Sequence, residues 1–363
     1  MAATAPAPSL SFSRPTFAKL SPHPYLLTNL TDPENPCRTN GRAPQEARPV
    51  HIHTSSLAHA NGSALVRTGD TTVVCGVRAE ILPVTSIPQY RPREPSYDEE
   101  NSIDNDSIDN DSTDVDELKD YDLLVPNIEL ATGCAPQFLP GVPPTTLAQT
   151  LSTRIYSLLH SCKVVDPKGL RVWYTPPKET KEEGAMEVDE AHDDQEEEER
   201  KPELKAYWVL YIDLLFVSFD GNPFDAAWTA VMAALRDTKL PQARWDPDRE
   251  TVVCSRSEEA KTALGVRGLP VACTATVFLE KEHGEDSGVS AERKSRHWIL
   301  LDPDRLEESL CKETVTVVVD CSGEETKVKS IEKHGGTVIG RELMRGFVGV
   351  AEGRWKEVKE ASK

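Results

Sequence analysis

Four acidic residues stand close together late in the chain, at Asp302, Asp304, Glu307 and Glu308. They follow the apolar run 297–301, which is typical of a strand. Paired carboxylates can bind Mg²⁺ or act as a general acid and base. The same pattern is common in a solvated turn in which one carboxylate caps the following element. We favour the second interpretation, a surface turn leading into the next strand, and predict no catalytic residue.

Two histidines, His51 and His53, alternate along a predicted strand and therefore share one face of it. They could be two metal ligands, but the sequence shows no third ligand for them. The eight cysteines contain no Cys-x-x-Cys pair and stand at 37, 75, 134, 162, 254, 273, 311 and 321. Cysteines scattered in this way are typical of small buried residues in a reducing compartment. We therefore predict neither a metal site nor a cofactor, and no Gly-x-Ser-x-Gly motif marks a nucleophile.

The net charge of −19 is concentrated in two acidic segments. Residues 94–120 carry a net charge of −11 and residues 178–203 one of −9, so the remaining chain is close to neutral. Such polar segments cannot bury a core, and we expect both to be disordered insertions. We also expect a disordered tail over 1–24 and a charged loop over 283–296. The sequence from 25 to 363 then forms a single, interrupted domain.

Apolar periodicity predicts three helices and ten strands in the remaining sequence. Their order (strands, helix, strands, helix, strands, helix) favours the α+β class over a doubly wound sheet. One strand is almost continuously apolar, which indicates that both of its faces are covered; it is the strand at 207–219. The helices are predicted at 144–162, 223–238 and 337–360, and the other strands at 49–56, 62–68, 71–80, 123–130, 251–254, 271–279, 297–301, 314–320 and 326–332.

The segment from Asn61 to Glu80 predicts a β-hairpin. Two apolar, β-branched runs flank the pair Gly69-Asp70, and Gly69 can take the positive φ of a tight turn. Upstream, Arg-x-Asn-Gly-Arg at 38–42 and Glu-x-Arg at 46–48 precede the first strand. Together these residues resemble the amino-terminal signature of the RNase PH family. The Cys-Gly-Val-Arg-Ala-Glu ending of the hairpin resembles the ring subunits of the eukaryotic RNA exosome.

Four further blocks carry the same resemblance, which extends over roughly residues 25–360. They are Val-Pro-Asn-Ile-Glu-Leu at 125–130, Trp-Val-Leu-Tyr-Ile-Asp at 208–213 with Asp-Gly-Asn at 220–222, the run 269–278, and Leu-Asp-Pro-Asp-x-Leu-Glu-Glu at 301–308. The resemblance implies the RNase PH fold, a duplicated β-α-β-α unit similar to domain 2 of ribosomal protein S5. The acidic insertions interrupt it.

The resemblance also indicates where a phosphorolytic member of this family would hold phosphate. That site is a Gly-Gly-(Ser/Thr)-Arg loop opening the helix after the central strand, where backbone N–H groups and an Arg fork bind the anion. The corresponding residues here, 220–227, contain neither the Arg nor the second Gly. Pro223 lacks a backbone donor, and Asp220 and Asp225 would repel an anion. The sequence therefore predicts no phosphorolytic activity.

Candidate RNA contacts are few, because the folded part has no lysine- or arginine-rich block. Arg91 and Arg93 follow the hairpin, with Tyr90 beside them, and the resemblance implies that this loop faces a channel. Arginines with one aromatic ring suit single-stranded RNA through phosphate attraction and stacking. Two solubilising arginines beside an acidic segment are an equally good interpretation.

What the resemblance implies about function is a noncatalytic ring subunit that supports 3′–5′ RNA degradation and ribosomal RNA processing. The implied partners are other RNase PH-like subunits, with ribosomal RNA-processing protein 46 as direct neighbour, S1/KH-domain cap proteins and a catalytic nuclease. The implied locations are the nucleus, nucleolus and cytoplasm. Two alternatives stay open: an active phosphate-dependent 3′–5′ exoribonuclease, and an interaction module whose acidic insertions bind basic proteins. No apolar run is long enough for a membrane helix, so no membrane association is expected.

Overall fold

Two β-sheets with a helix between them form the centre of the structure. The computed structural model describes residues 13–88, 90, 117–140, 143–176, 202–280, 296–336 and 340–362. Strands and helices are interspersed along the chain without strict alternation, which confirms the predicted α+β class.

The first sheet has the strand order β1-β2-β3-β6-β4, and β5 pairs with β6 beside β4. All pairs are antiparallel except β4 with β6, which run parallel. The strands are β1 (Val50–Thr54), β2 (Gly62–Thr68), β3 (Thr71–Pro83), β4 (Leu124–Leu130), β5 (Arg171–Tyr174) and β6 (Glu203–Ser218).

The predicted hairpin is present as the pair β2–β3. Thr68 pairs with Thr71 across a turn in which Gly69 has a φ of +58°. The positive φ explains why glycine occupies this position, because a side chain is strained in the left-handed region. The hairpin contributes Val66, Val73 and Cys75 to the core, and all three are fully buried.

The second sheet is antiparallel, with the order β12-β11-β13-β14. A bulge between Val318 and Val319 shifts the register of its last pair. Two short two-stranded ladders, β7 with β10 and β8 with β9, lie apart from it. The strands are β7 (Lys239–Leu240), β8 (Ala243–Asp246), β9 (Thr251–Cys254), β10 (Thr262–Ala263), β11 (Val271–Leu279), β12 (His297–Leu301), β13 (Thr314–Asp320) and β14 (Lys327–His334).

The central helix, α4 (Pro223–Asp237), packs on β2 and β3 of the first sheet and on β11 of the second. Every residue from Phe224 to Leu235 except Asp225 is classed as buried, and the Trp228 ring N–H donates to the Pro270 carbonyl at 2.8 Å. Helix α3 (Thr146–Ser161) packs on β4, and α6 (Arg341–Ala361) packs on β13 and β11. All three long helices therefore lie where apolar periodicity predicts them.

The amino-terminal segment differs from the expectation of a disordered tail over 1–24. From residue 14 onward it forms α1 (Arg14–Leu20) and α2 (Pro22–Leu30). Leu26 and Leu30 are buried in a small second core with Phe278 and Leu300. Prolines stand in the first turns of both helices, where a missing N–H costs nothing.

Two other expectations need correction. The disordered insertion predicted at 94–120 extends too far toward the carboxyl terminus, since residues 117–120 are helical and Leu118 is buried. The segment 178–203 likewise ends inside β6, which begins at Glu203. The remaining residues of both segments, and those of the loop 283–296 up to 295, lie outside the described residues.

The strand β6 is not covered on both faces along its whole length. Tyr207 to Leu210 are buried, but Asp213, Leu215 and Val217 are exposed on the side turned away from α4. Apolar composition alone could not distinguish a fully covered strand from one with an open apolar stretch. In the ranges that the structure covers, no helix is both long and apolar enough to cross a membrane.

Candidate functional site

The acidic cluster and the start of α4 meet where β6 ends. Gly221 and Asn222 connect β6 to the helix, and both have a positive φ, of +76° and +47°. A Cβ added to Gly221 would lie 2.5 Å from the carbonyl carbon of Asp304. The turn can therefore approach the 302–308 segment this closely only with glycine at position 221.

Arg48 joins the two sides of this junction. Its guanidinium contacts both carboxylate oxygens of Asp302 at 2.8 Å and donates to the Asp220 carbonyl oxygen at 2.7 Å. The side chains of Arg48 and Asp302 are only 8% and 3% exposed. Burial alone would raise the pKa of Asp302, but the hydrogen bonds and charge of Arg48 outweigh it and lower that pKa. The pair is therefore ionised and internally neutral.

A second buried pair lies directly behind the first. Arg38 lies 3.3 Å from the carboxylate of Glu307, and both side chains are fully buried. Arg38 also donates to the carbonyl oxygens of Pro44 and Leu301. Burial lowers the pKa of Arg38 to about 10 and raises that of Glu307 against the pull of Arg38. A nearby third arginine, Arg42, lies 3.6 Å from Asp302.

The first turn of α4 is occupied by the chain's own carboxylates. The Asn222 backbone N–H donates to Glu308 at 2.7 Å, and the Asn222 side-chain amide donates to Asp302 at 2.8 Å and Asp225 at 2.9 Å. Asp225 also accepts from the backbone N–H and hydroxyl of Thr274 at 2.8 and 2.6 Å. Burial raises the pKa of Glu308 to about 7 and that of Asp225 above its usual value.

This geometry has one chemical consequence. A helix N-terminus and a nearby arginine are the two features with which a protein binds an oxyanion. Here a carboxylate already accepts from the Asn222 N–H, and the guanidinium of Arg48 is used by Asp302 and Asp220. An incoming phosphate would have to displace these groups and approach Asp220 and Asp225. These hydrogen bonds and ion pairs hold β6, α4 and the 302–308 segment together.

The interpretation of the acidic cluster as a solvated turn before a strand was wrong. Asp302 and Glu307 are buried, and the segment leads into a short helix, α5 (Arg305–Leu310). The expected cap is confirmed, because Asp304 accepts from the Glu307 N–H while the Glu307 carboxylate accepts from the Asp304 N–H. Burial of these carboxylates has no direct sign in the sequence, since their arginine partners lie about 260 residues away.

The other predicted site residues are not part of this junction. His51 and His53 are exposed on β1, and among the described ranges no group of three or more His, Cys, Asp or Glu residues could hold a metal ion. Tyr90 is partly buried, with its ring centre 6.1 Å from that of Tyr121. Arg91 and Arg93 lie outside the described residues.

Sequence reasoning missed the role of the amino-terminal arginines. In the sequence these arginines were noted only as members of the family motifs at 38–42 and 46–48. The structure brings all three to Asp302 or Glu307: Arg38, Arg42 and Arg48. One weak signal was available: the chain outside its acidic segments is nearly neutral, so it contains enough basic residues to pair with the acidic cluster.

Comparisons with known proteins agree with this fold. A family model described as the 3′ exoribonuclease family, domain 1 (RNase PH), matches residues 46–241, which is more than half of the chain. The chain therefore belongs to the RNase PH family, as its motifs predict.

Relatives match over almost the full length. The exosome complex component rrp43 of Schizosaccharomyces pombe is 29% identical over 348 residues, covering 95% of this chain and 97% of that protein. The exosome complex component Rrp42 of Archaeoglobus fulgidus is 26% identical over 339 residues, covering 93% and 95%.

Two solved structures share the fold. One is described as the Archaeoglobus fulgidus exosome with RNA bound to the active site; it has a TM-score of 0.58 and 24% identity, and the match covers 94% of this chain and 97% of that chain. The other, an archaeal exosome core, has a TM-score of 0.54 and 21% identity, with coverage of 93% and 96%. They confirm the predicted RNase PH fold.

Proposed function

We propose that this chain is a noncatalytic structural subunit of the RNA exosome ring. It would support 3′–5′ RNA degradation and ribosomal RNA processing by helping to form the channel that leads RNA to a nuclease. Support comes from relatives that are named as exosome components and that match more than nine-tenths of both chains. Among ring subunits, the match to rrp43 of Schizosaccharomyces pombe favours the subunit type called ribosomal RNA-processing protein 43.

The observation that carries the noncatalytic assignment is the occupied first turn of α4. Glu308 accepts from the backbone N–H of Asn222, and Arg48 is engaged by Asp302 and Asp220. The resemblance to phosphorolytic enzymes implies that this is where they hold phosphate. Pro223, in the first turn, has no N–H to offer. Binding phosphate here would bring a dianion against several carboxylates, which is unfavourable in a buried site.

The catalytic alternative is tested by incubating the purified chain with single-stranded RNA and inorganic phosphate. A phosphorolytic enzyme of the same family serves as the positive control. We expect no phosphate-dependent release of nucleoside diphosphates from this chain. Release that depends on phosphate, and that persists after further purification, would overturn the noncatalytic assignment.

The proposed partners are other RNase PH-like ring subunits, with ribosomal RNA-processing protein 46 as the direct neighbour, together with S1/KH-domain cap proteins and a catalytic nuclease. An exosome subunit of this type would work in the nucleus, nucleolus and cytoplasm. We also propose that Arg91 and Arg93 contact single-stranded RNA in the assembled channel. Their position directly after Tyr90, at the end of the described hairpin segment, supports this.

A further inference from the structure

The two halves of α6 are packed to different extents. Its carboxyl-terminal half, residues 351–361, buries four side chains, those of Ala351, Arg354, Trp355 and Val358. The Trp355 ring N–H also donates to the Leu269 carbonyl oxygen at 2.8 Å. In its amino-terminal half, residues 341–350, Phe347 is the only buried residue. The helix is therefore held in the fold mainly by its carboxyl-terminal half.

An apolar pocket lies beneath the amino-terminal half of α6. Its walls come from the helix and from strands of the second sheet, and they include Leu343, Met344, Phe347, Ala275, Val277 and Val315. Protein interiors are normally close-packed, and a side chain that faces a gap loses part of its dispersion contacts. The amino-terminal half is therefore bound to the sheet less tightly than a fully packed helix of the same length.

The backbone of the amino-terminal half also has a low intrinsic tendency to stay helical. Gly346 and Gly349 both lie in it and are exposed. A Cβ added at either position would meet no atom of the described residues within 4 Å. No close packing contact in that part of the chain thus requires glycine at these positions. Glycine nevertheless destabilises a helix interior relative to alanine, because its unfolded backbone has more freedom.

We propose that the amino-terminal half of α6 opens locally, unwinding and separating from the second sheet while the carboxyl-terminal half stays docked. Segments with few buried apolar contacts open at a lower free-energy cost than the rest of a fold. The open form exposes side chains beneath the amino-terminal half, such as Ala275 and Val315, which are buried in the closed form. This inference concerns the chain itself and does not rest on the proposed function.

The first test is amide hydrogen exchange of the purified full-length chain. The amides of 347–350 lie beyond the first helical turn, so the end fraying that is common to helices does not account for their exchange. After correction for intrinsic rates, we expect them to exchange at least tenfold faster than the amides of 355–358. Equal protection of the two groups would overturn the proposal, because it would mean that α6 opens as one unit.

The second test uses glycine substitutions in the two halves. Gly346→Ala and Gly349→Ala should each slow exchange of the amides of 347–350 about fivefold, because alanine is the better helix former. The matched control is Gly353→Ala, which changes an equally exposed glycine of the same helix with equally open surroundings. It lies in the docked half and should leave exchange of 347–350 unchanged. An equal effect of all three substitutions on 347–350 would contradict separate opening of the two halves.

The third test compares two thiols beneath the two halves. Cys273 is fully buried and shares a face of β11 with Ala275, and it lies within the electrostatic influence of Arg354 in the docked half. In the variant Ala275→Cys, labelling mapped by mass spectrometry should be at least tenfold faster at 275 than at 273, relative to the rates in the unfolded chain. Adding Gly346→Ala should slow labelling at 275 about fivefold. Equal labelling at the two positions, or no effect of Gly346→Ala at 275, would overturn the proposal.

Discussion

Arg48 contacts residues that lie far apart in the sequence, and it does so with almost no exposure to solvent. It joins the segment before β1, the turn after β6 and the segment before α5 through Asp220 and Asp302. Removing one partner of a buried ion pair leaves the other charge uncompensated, which usually costs far more than the pair contributes. The amino-terminal motif that marks the family is thus part of the structure's internal support.

Substitution of Arg48 by Ala should strongly destabilise the chain. We expect a loss of about 3–5 kcal/mol in the free energy of unfolding, because Asp302 is left buried and charged. Arg67→Ala, at an exposed ion pair, should change it by less than about 1 kcal/mol. Chemical denaturation of both variants measures the difference, and equal effects would contradict the structural role of Arg48.

Glu308 should make stability depend on pH in a defined direction. Its folded pKa of about 7 lies above that of an unfolded glutamate, so the folded state binds the proton more tightly. Its contribution is present below the unfolded pKa of about 4.3 and is lost as pH rises through 7. Glu308→Gln cannot lose a proton and still accepts from Asn222, so its unfolding free energy should not show this fall.

The measurement is the unfolding free energy of wild type and Glu308→Gln from pH 5 to 8. The variant should become the more stable one as pH rises, by on the order of 3 kcal/mol at pH 8. Glu342→Gln, on the exposed first turn of α6, should follow the wild type at every pH. A constant difference between Glu308→Gln and wild type would show that Glu308 does not titrate in this range.

At the scale of elements, the start of α4 depends on how closely two backbone segments approach. Gly221→Ala combines a strained positive φ with a contact against the Asp304 backbone. Gly133 has a similar φ of +90° but open space around its Cα. Gly133→Ala should therefore cost only the backbone strain, about 1–2 kcal/mol.

Gly221→Ala should cost about 1–3 kcal/mol more than Gly133→Ala, since the loop must also move. Thermal and chemical unfolding of the two variants give this comparison. Equal costs would mean that the turn and the 302–308 segment are not held together as described.

Elements with strong patterns could be predicted from the sequence. The hairpin, α4 and most strands of the second sheet follow from alternation, periodicity and turn residues. Helices α1, α2 and α5 could not, because they are short and the first turns of α1 and α2 contain prolines, which are also common in irregular segments. The burial of Asp302 could not be predicted either. It depends on the ion pair with Arg48, which is 254 residues away in the sequence and is brought close only by the tertiary structure.

At the scale of the whole molecule, the acidity of the chain says little about its surface in an assembly. Most of the negative charge lies in the segments 94–120 and 178–203, and the rest is close to neutral. A near-neutral folded part is compatible with a subunit that contacts RNA at a few positions.

The double variant Arg91→Glu, Arg93→Glu tests the proposed contact. In a reconstituted ring we expect several-fold weaker crosslinking to single-stranded RNA, with assembly unchanged, because two phosphate-attracting charges are reversed. The matched control is Arg249→Glu, Arg256→Glu, at two exposed arginines elsewhere in the chain. Unchanged crosslinking in the first variant would remove Arg91 and Arg93 from the candidate RNA contacts.

The role that we propose for this chain is that of a noncatalytic member of a ring of RNase PH-like subunits. Its most direct test is purification of the tagged full-length chain from cells under mild conditions, with mass spectrometry of the proteins that accompany it. We predict near-stoichiometric recovery of other RNase PH-like chains together with S1/KH-domain proteins. Recovery of the chain without any other RNase PH-like protein would contradict the account.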